Sequence, residues 1–370
     1  MRKAKPTFLD KVVRLIAIAL AIGLVLGFMA GRFDPRGFQL IAFFGLAYPF
    51  ILLLNVFMII WWCIRKRWLF ALATTFLILF GWNALTATFG LMGEVGKGPK
   101  AEKDLIRMMT YNVHSFKPYG QENIPAVKEQ MLSLIASENP DIICFQEYFT
   151  RRKGAFDITD SLKRILKKPY YYFVPSSENS YEATGLAIFS KYPIKDKGTI
   201  VFGENYGGNA SIYIDVMIRN QKIRVYNVHL QSISFDKQDY SYIDHVKQKM
   251  DPALYPSKRI LVLLRNAFLK RSEQVDIMKA HMKTCETPFL IAGDFNDTPA
   301  SYAVTQLTKS LKNTFKEQGR GFGKTYNGKF PNFQIDYIAT TKDIDVMNYH
   351  IIEAELSDHF PVRTDLRLNP

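Results

Sequence analysis

The chain has 370 residues, 48% of them hydrophobic, with 48 Lys and Arg against 34 Asp and Glu and a formal net charge of +14. Ten of the basic and two of the acidic residues fall in residues 1–92, leaving +8 there and only +6 over the rest, too mild for a nucleic-acid footprint. Three cysteines exclude a disulfide framework, and the length implies one large domain plus an extra segment.

Three apolar stretches open the chain, at about residues 12–30, 38–62 and 68–89. Each approaches or exceeds the ~20 residues a helix needs to cross a bilayer. Asn55 and Asn83 are uncharged intrusions, and Trp61, Trp62, Trp68 and Trp82 stand near the span ends as interfacial anchors. Arg2, Lys3, Lys5, Lys11 and Arg14 precede the first stretch, while Arg65, Lys66 and Arg67 separate the second from the third. Positive charge stays cytoplasmic, so three spans deliver residue 92 onward to the extracytoplasmic face, although the outer loop 31–37 carries Arg32 and Arg36. A cleaved signal peptide would imitate the first stretch, and two spans from an outside start reach the same face. A Gly- and charge-rich stretch follows, giving an organisation of 1–92 as a transmembrane segment of about three helices, 93–104 as a linker and 105–370 as a globular part.

In the globular part, "LIRMMTYNVH" reads as a strand, and Ile124, Val127, Met131, Leu134 and Ile135 mark a helix that stops before Asn139-Pro140. "DIICFQE" is a strand buried on both faces, followed by "YYYFVPS", "GLAIFSKYP", "ASIYIDVMIR" and "KIRVYNVHL", with Asn220-Gln221 turning the last hairpin. Residues 236–284 are mainly helical and carry basic Lys258, Arg259, Arg265, Lys270 and Arg271. "PFLIAGDFN", "QIDYIATT" and "PVRTDLRL" supply the later strands, and the alternation fits two sheets packed face to face with helices outside.

Strand ends then deliver Glu147, His229, Asp294, Asn296, Asp358 and His359. Carboxylates, an amide and two histidines with no catalytic Ser or Cys nearby suit Mg²⁺ and a phosphoryl group better than acyl transfer. Strand alternation puts Asp294 and Asn296 on one face, where Asp orients or deprotonates water and Asn holds a phosphate oxygen; the alternative is an Asx turn before Pro299. Asp336 is an acid inside a strand and wants a partner.

The ordered set "TYNVH", "FQE", "NVHL", "GDFN", "IDYI" and "SDHFPV" resembles the endonuclease/exonuclease/phosphatase superfamily from about Leu105 to the C-terminus. The resemblance implies an α/β fold, the DNase I-like four-layer αββα sandwich, preceded here by the helical transmembrane segment. It implies a metal site of Glu147 and Asp358 with Asn112 and Asp294, taking Mg²⁺ or Mn²⁺. It implies phosphate contacts from Asn112, His229 and Asn296, and a His359 oriented by Asp336 that acts on water or on the phosphate. His114 departs from many relatives and leaves a second metal position open, and Glu182 is a candidate acidic partner for His229. The expected activity is a membrane-tethered, metal-dependent phosphoesterase using in-line attack of water. Its substrate is a lipid head group, a nucleic acid or a small phosphate; a nuclease and a non-catalytic binding protein are the alternatives, and no protein partner is inferable.

Overall fold

The computed structural model describes residues 8–369 apart from 92, 118–123, 168, 204–207, 234, 250–253, 329–330 and 332, and divides into two units. Arg2, Lys3 and Lys5 lie outside the described residues. The first unit is Met1–Thr88 with Thr298–Gln306. Its helices are α1 (Phe8–Met29), α2 (Gln39–Ile64), α3 (Trp68–Phe80) and α4 (Trp82–Thr88). Phe8–Arg32 and Gln39–Ile64 are each long and apolar enough to cross a membrane, whereas α3 and α4 pass that test only as a pair bent by 76°. The expected third span is therefore broken at Gly81, the residue between them.

α1 begins at Phe8, so Lys11 and Arg14 lie inside the helix rather than ahead of it. Asp10 is 3.3 Å from Arg65 and 3.6 Å from Arg67, which brings the start of α1 and the α2–α3 connection to one end of this unit. Asn55 is buried yet satisfied, donating to Leu20 O at 3.1 Å and to Ile51 O at 2.8 Å. Within the same unit, Thr298 donates to Gly45 O at 3.3 Å and Gln306 to Gly31 O at 2.9 Å.

The second unit is Phe89–Asp297 with Leu307–Pro370. Its strands in chain order are β1 (Phe89–Gly90), β2 (Ile106–Asn112), β3 (Ile142–Arg151), β4 (Tyr170–Glu178), β5 (Glu182–Ser190), β6 (Ile194–Val201), β7 (Ala210–Ile218), β8 (Gln221–His229), β9 (Phe289–Asp294), β10 (Lys312–Asn313), β11 (Gly321–Phe322), β12 (Asp336–Thr340), β13 (Ile344–Val346), β14 (His350–Ile351) and β15 (Val362–Leu368). One sheet runs β10-β12-β9-β8-β7-β6, and the other β13-β15-β2-β3-β5-β4 with β14 also on β15. β2 with β3 and β8 with β9 are the parallel pairs; the remaining pairings of the two sheets are antiparallel.

Alternation explains why the strands read as unbroken apolar runs. Ile106 and Met108 of β2, Ile142 and Cys144 of β3, Ile223 and Val225 of β8, and Leu290 and Ala292 of β9 fill the gap between the sheets. Met109, Tyr111, Ile143 and Phe145 face the other way, onto Val127, Met131 and Ile135 of α5 (Ile124–Glu138) and Ile158 and Leu162 of α6 (Ile158–Ile165). Each fully buried Ile, Leu or Val on these faces contributes about 1.5–3 kcal/mol. The β10–β6 sheet is covered by α8 (Leu254–Lys283), which follows α7 (Lys237–Lys249). α8 buries Leu264, Phe268, Val275 and Met278, and near its end His281 Nδ1 lies 3.1 Å from the Tyr226 hydroxyl. The layers are helix, sheet, sheet, helix, as the resemblance implies.

One local expectation is corrected. The β7–β8 turn is Arg219-Asn220, with φ of 49° and 67°, a left-handed pair that suits a two-residue hairpin; Gln221 already pairs with Ile218. The stretch expected as a linker lies along this unit, with Tyr349 N donating to Glu94 O at 3.2 Å and Lys100 2.8 Å from Asp141. All three cysteines are free, with Cys144 buried.

Candidate active site

The inward positions of the strands run out of apolar residues at one end of the intersheet gap. β2 continues from Met108 through Thr110 to Asn112, β8 from Val225 through Asn227 to His229, and β9 from Ala292 to Asp294, while β12 starts at Asp336 directly opposite Asp294. His229 is likewise opposite Asp294 in the parallel β8–β9 pair. That close approach requires Gly293: its φ is 142°, and a Cβ there would sit 2.0 Å from Val228 O.

Asp294 is the centre of the group. Its Oδ2 lies 3.7 Å from His229 Nε2 and 3.7 Å from His359 Nε2, and it accepts from Asn112 Nδ2 at 3.1 Å. Burial pushes its carboxyl up to about 6, with Asp336 adding and the two histidines and the Asn112 bond opposing. Asp336 is equally buried, and its two oxygens lie 3.0 and 3.2 Å from His359 Nδ1. An ionised carboxylate only accepts, so the ring carries its proton on Nδ1 and turns Nε2 to the site. Burial opposes protonation of His359, yet Asp336 and Asp294 outweigh it and hold the imidazole well above its usual value.

Asn296 does not reach the site by strand alternation. β9 ends at Asp294, and Asn296 takes a left-handed φ of 54° in a turn closed by its own N–H donating to Asp294 Oδ1 at 2.8 Å. Its side chain donates to Leu230 O at 3.0 Å, which joins this turn to the end of β8.

Glu147 does not end a strand either. It lies within β3 at a bulge, where the register shifts between Phe145 and Tyr148 and φ is 49°, and this aims the carboxylate at the site. Asn112 donates to it at 3.4 Å. His114 Nδ1 stands 3.5 Å from Glu147 Oε2 and 3.7 Å from Asp358 Oδ1. Burial raises the Glu147 carboxyl, but the His114 bond and the three nearby histidines outweigh it and hold the group at about 2, firmly ionised. Glu182 pairs with Arg151 at 3.0 Å, so the acid beside His229 is Asp294.

Among the described residues, His114 is the ion-pair partner of both Glu147 and Asp358, and no Lys or Arg pairs with either. The carboxylates of Glu147 and Asp358, with Asn112 beside them, are hard-oxygen groups of the kind that fit a divalent cation. In the orientation found, Asn112 Oδ1 accepts from His114 N at 3.2 Å while its amide nitrogen faces the carboxylates. Asp294, Asp336 and His359 form a second compact group whose donor atoms lie within 4.8 Å of one another, but the His359–Asp336 bond already occupies Nδ1.

Several neighbours were missed in the sequence. Tyr326 packs its ring edge-on to His359 at 5.5 Å, and Asn209 donates to Leu230 O at 2.9 Å. Arg271, counted among the basic residues of the helical stretch, is buried, as is Gln274. Their signal was periodic: Arg271 falls on the α8 stripe of Leu264, Phe268, Val275 and Met278.

The Endonuclease/Exonuclease/phosphatase family matches residues 109–359, and a domain of unknown function (DUF8431) matches residues 10–88. A phospholipase C of Staphylococcus aureus is 23% identical over 313 residues, 70% of this chain and 86% of that protein. The endonuclease/exonuclease/phosphatase from Bacteroides vulgatus superposes with a TM-score of 0.52 at 19% identity, covering 72% of this chain and 100% of that one. The human Nocturnin catalytic domain with bound sulfate anion gives 0.50 at 14% identity, covering 72% and 96%. At these identities the solved structures speak to the fold alone.

Proposed function

We propose that this chain, which belongs to the endonuclease/exonuclease/phosphatase family, is a membrane-tethered phosphoesterase that cleaves a phosphodiester in a lipid head group. The observation that carries the phosphoesterase reading is Asp294 Oδ2 set 3.7 Å from two imidazoles, one of them braced by Asp336, with three hard-oxygen residues alongside. The lipid reading is supported by the two helices long enough to span a bilayer and by the likeness to a phospholipase C.

Glu147, Asp358 and Asn112, with Asp294, would hold Mg²⁺ or Mn²⁺, which neutralises charge on the phosphoryl oxygens when bound. The chain's own groups do the rest. Asp294, held at about 6, is poised to accept a proton from water near neutral pH. His359, kept cationic by Asp336 and Asp294, stabilises negative charge as the phosphorus becomes pentacoordinate. His229 faces the same oxygen of Asp294 from β8 and serves the leaving group. The amides of Asn112 and Asn296 bind non-bridging oxygens.

The catalytic unit is extracytoplasmic in this reading. Asp10 pairs with Arg65 and Arg67, so the start of α1, with Lys11, shares an end with Arg65 and Arg67, and positive charge favours the cytoplasm for that end. Full-length protein should hydrolyse bis-p-nitrophenyl phosphate and lose that activity in EDTA. A panel of phospholipid, sphingomyelin, DNA and inositol phosphates then ranks substrates. Full activity in excess EDTA overturns the metal reading, and preference for DNA overturns the lipid one.

A further inference from the structure

Behind the site, one face of α8 buries two polar side chains where the helix otherwise buries apolar ones. Arg271 and Gln274 are 1% and 0% exposed, and three residues apart they share a face. The Arg271 guanidinium donates through Nη1 to the carbonyl of Asn296 and lies 3.2 Å from Asp297 Oδ2 through Nε. It thus grips the left-handed turn at Asn296 on the backbone, and leaves the Asn296 side chain to Leu230 O and the Asp294 carboxylate to Asn112. Gln274 Oε1 accepts from Gln231 N at 2.8 Å, two residues past His229. Between the two grips, Leu230 N donates to Asp294 O at 3.0 Å and Leu230 O accepts from Asn296.

We infer that Arg271 and Gln274 are positioning residues: a single helix face fixes the β9 end that carries Asp294 and Asn296 and the β8 end that carries His229. A buried guanidinium is costly to keep without a specific task, and here its hydrogen bond to Asn296 and its ion pair with Asp297 both go to one turn. Asn tolerates φ above zero better than most residues, yet the carbonyl of this turn still needs a donor from outside it, and Arg271 supplies one. The inference rests on the phosphoesterase reading above.

The test uses the full chain in detergent. Arg271→Lys keeps the charge against Asp297 but loses the fork, and should lower kcat on bis-p-nitrophenyl phosphate by about tenfold or more with KM within about threefold, because small misplacements of positioned groups cost rate. In an Asn296→Ala background the same change should cost less than about twofold, since residues acting as one unit are not additive. Gln274→Met removes the acceptor at similar volume and should lower kcat in the same way, with no added loss in a His229→Ala background. Unchanged kcat in Arg271→Lys, or losses that multiply in the double variants, overturns the inference. If Arg271→Lys fails to fold by its thermal midpoint, Gln274→Met decides, and unchanged kcat there is equally fatal. A wild-type chain inactive on every phosphoester instead overturns the phosphoesterase reading, and this inference with it.

Discussion

Asp336→Asn tests the centre of the proposed mechanism most directly. The carboxylate lies 3.0 Å from His359 Nδ1, both groups are buried, and the substitution keeps the volume while removing the charge. At charge separations near 4 Å, with an effective dielectric of about 20, that attraction is worth about 4 kcal/mol to an imidazolium, or about 10³ in rate at 1.36 kcal/mol per tenfold. The asparagine keeps a hydrogen bond, so the expected loss in kcat is about 10²–10³. It can also donate to Nδ1, which moves the ring proton to Nε2 and adds to the loss. Initial rates on bis-p-nitrophenyl phosphate with saturating Mg²⁺ or Mn²⁺ measure the effect, alongside a thermal melt to confirm folding. His359→Ala should fall in the same range, and the double variant should lose little more than the worse single change. An Asp336→Asn enzyme within about threefold of wild type, or a double loss equal to the product of the singles, refutes the claim that the two act as a unit.

Glu147→Ala should weaken Mn²⁺ binding at least about tenfold, by electron paramagnetic resonance titration, and leave the thermal midpoint of the metal-free protein within a few degrees; undiminished affinity would remove Glu147 from the cation site. Reporters active only outside the cytoplasm should work when fused after Pro370 and stay silent at Lys66, and the reverse pattern refutes the extracytoplasmic assignment. His350, on β14, has its imidazole pushed down to about 4 by burial and then by Arg363, Lys97 and Arg107. The unfolded chain takes up that proton near 6.5, so the unfolded state binds more protons between about 4 and 6.5, and stability drops as pH falls through that window. Solvent screening leaves roughly 1–2 kcal/mol of the effect. His350→Gln should therefore gain on wild type in thermal midpoint between pH 7 and pH 4.5, and parallel pH dependence in the two proteins would contradict it.

The fold and half of the site were legible because both rest on local patterns. Period-two alternation carried each strand from its apolar residues to its functional end, as from Val225 through Asn227 to His229. What escaped depends on residues distant in the chain. The bulge that aims Glu147 exists only opposite Leu186 and Gly185 of β5, so "DIICFQE" alone reads as a strand end. Asn296 looked like the next alternate position because its left-handed turn is held in part by Arg271, and a basic residue in a helix reads as solvent-facing until its stripe is counted. The break in the third apolar stretch hides behind uniform hydrophobicity, where only Gly81 and Trp82 mark it.

The polar bridge beneath the site has a further consequence. Asn227, on the β10–β6 sheet, donates to Phe145 O at 2.9 Å and Ala187 O at 3.0 Å on the other sheet, and accepts from Gln146 at 2.6 Å, which in turn bonds Thr110. Every hydrogen-bonding atom of the Asn227 amide is used, and 81 residues of chain separate it from Gln146. Neither sheet alone can satisfy that amide, and neither alone owns the site: Asn112 and Glu147 come from one, His229, Asp294 and Asp336 from the other. The candidate catalytic group is therefore incomplete until the two sheets close on each other. Gain of activity during refolding should trail the appearance of strand structure and coincide with exclusion of solvent from the gap.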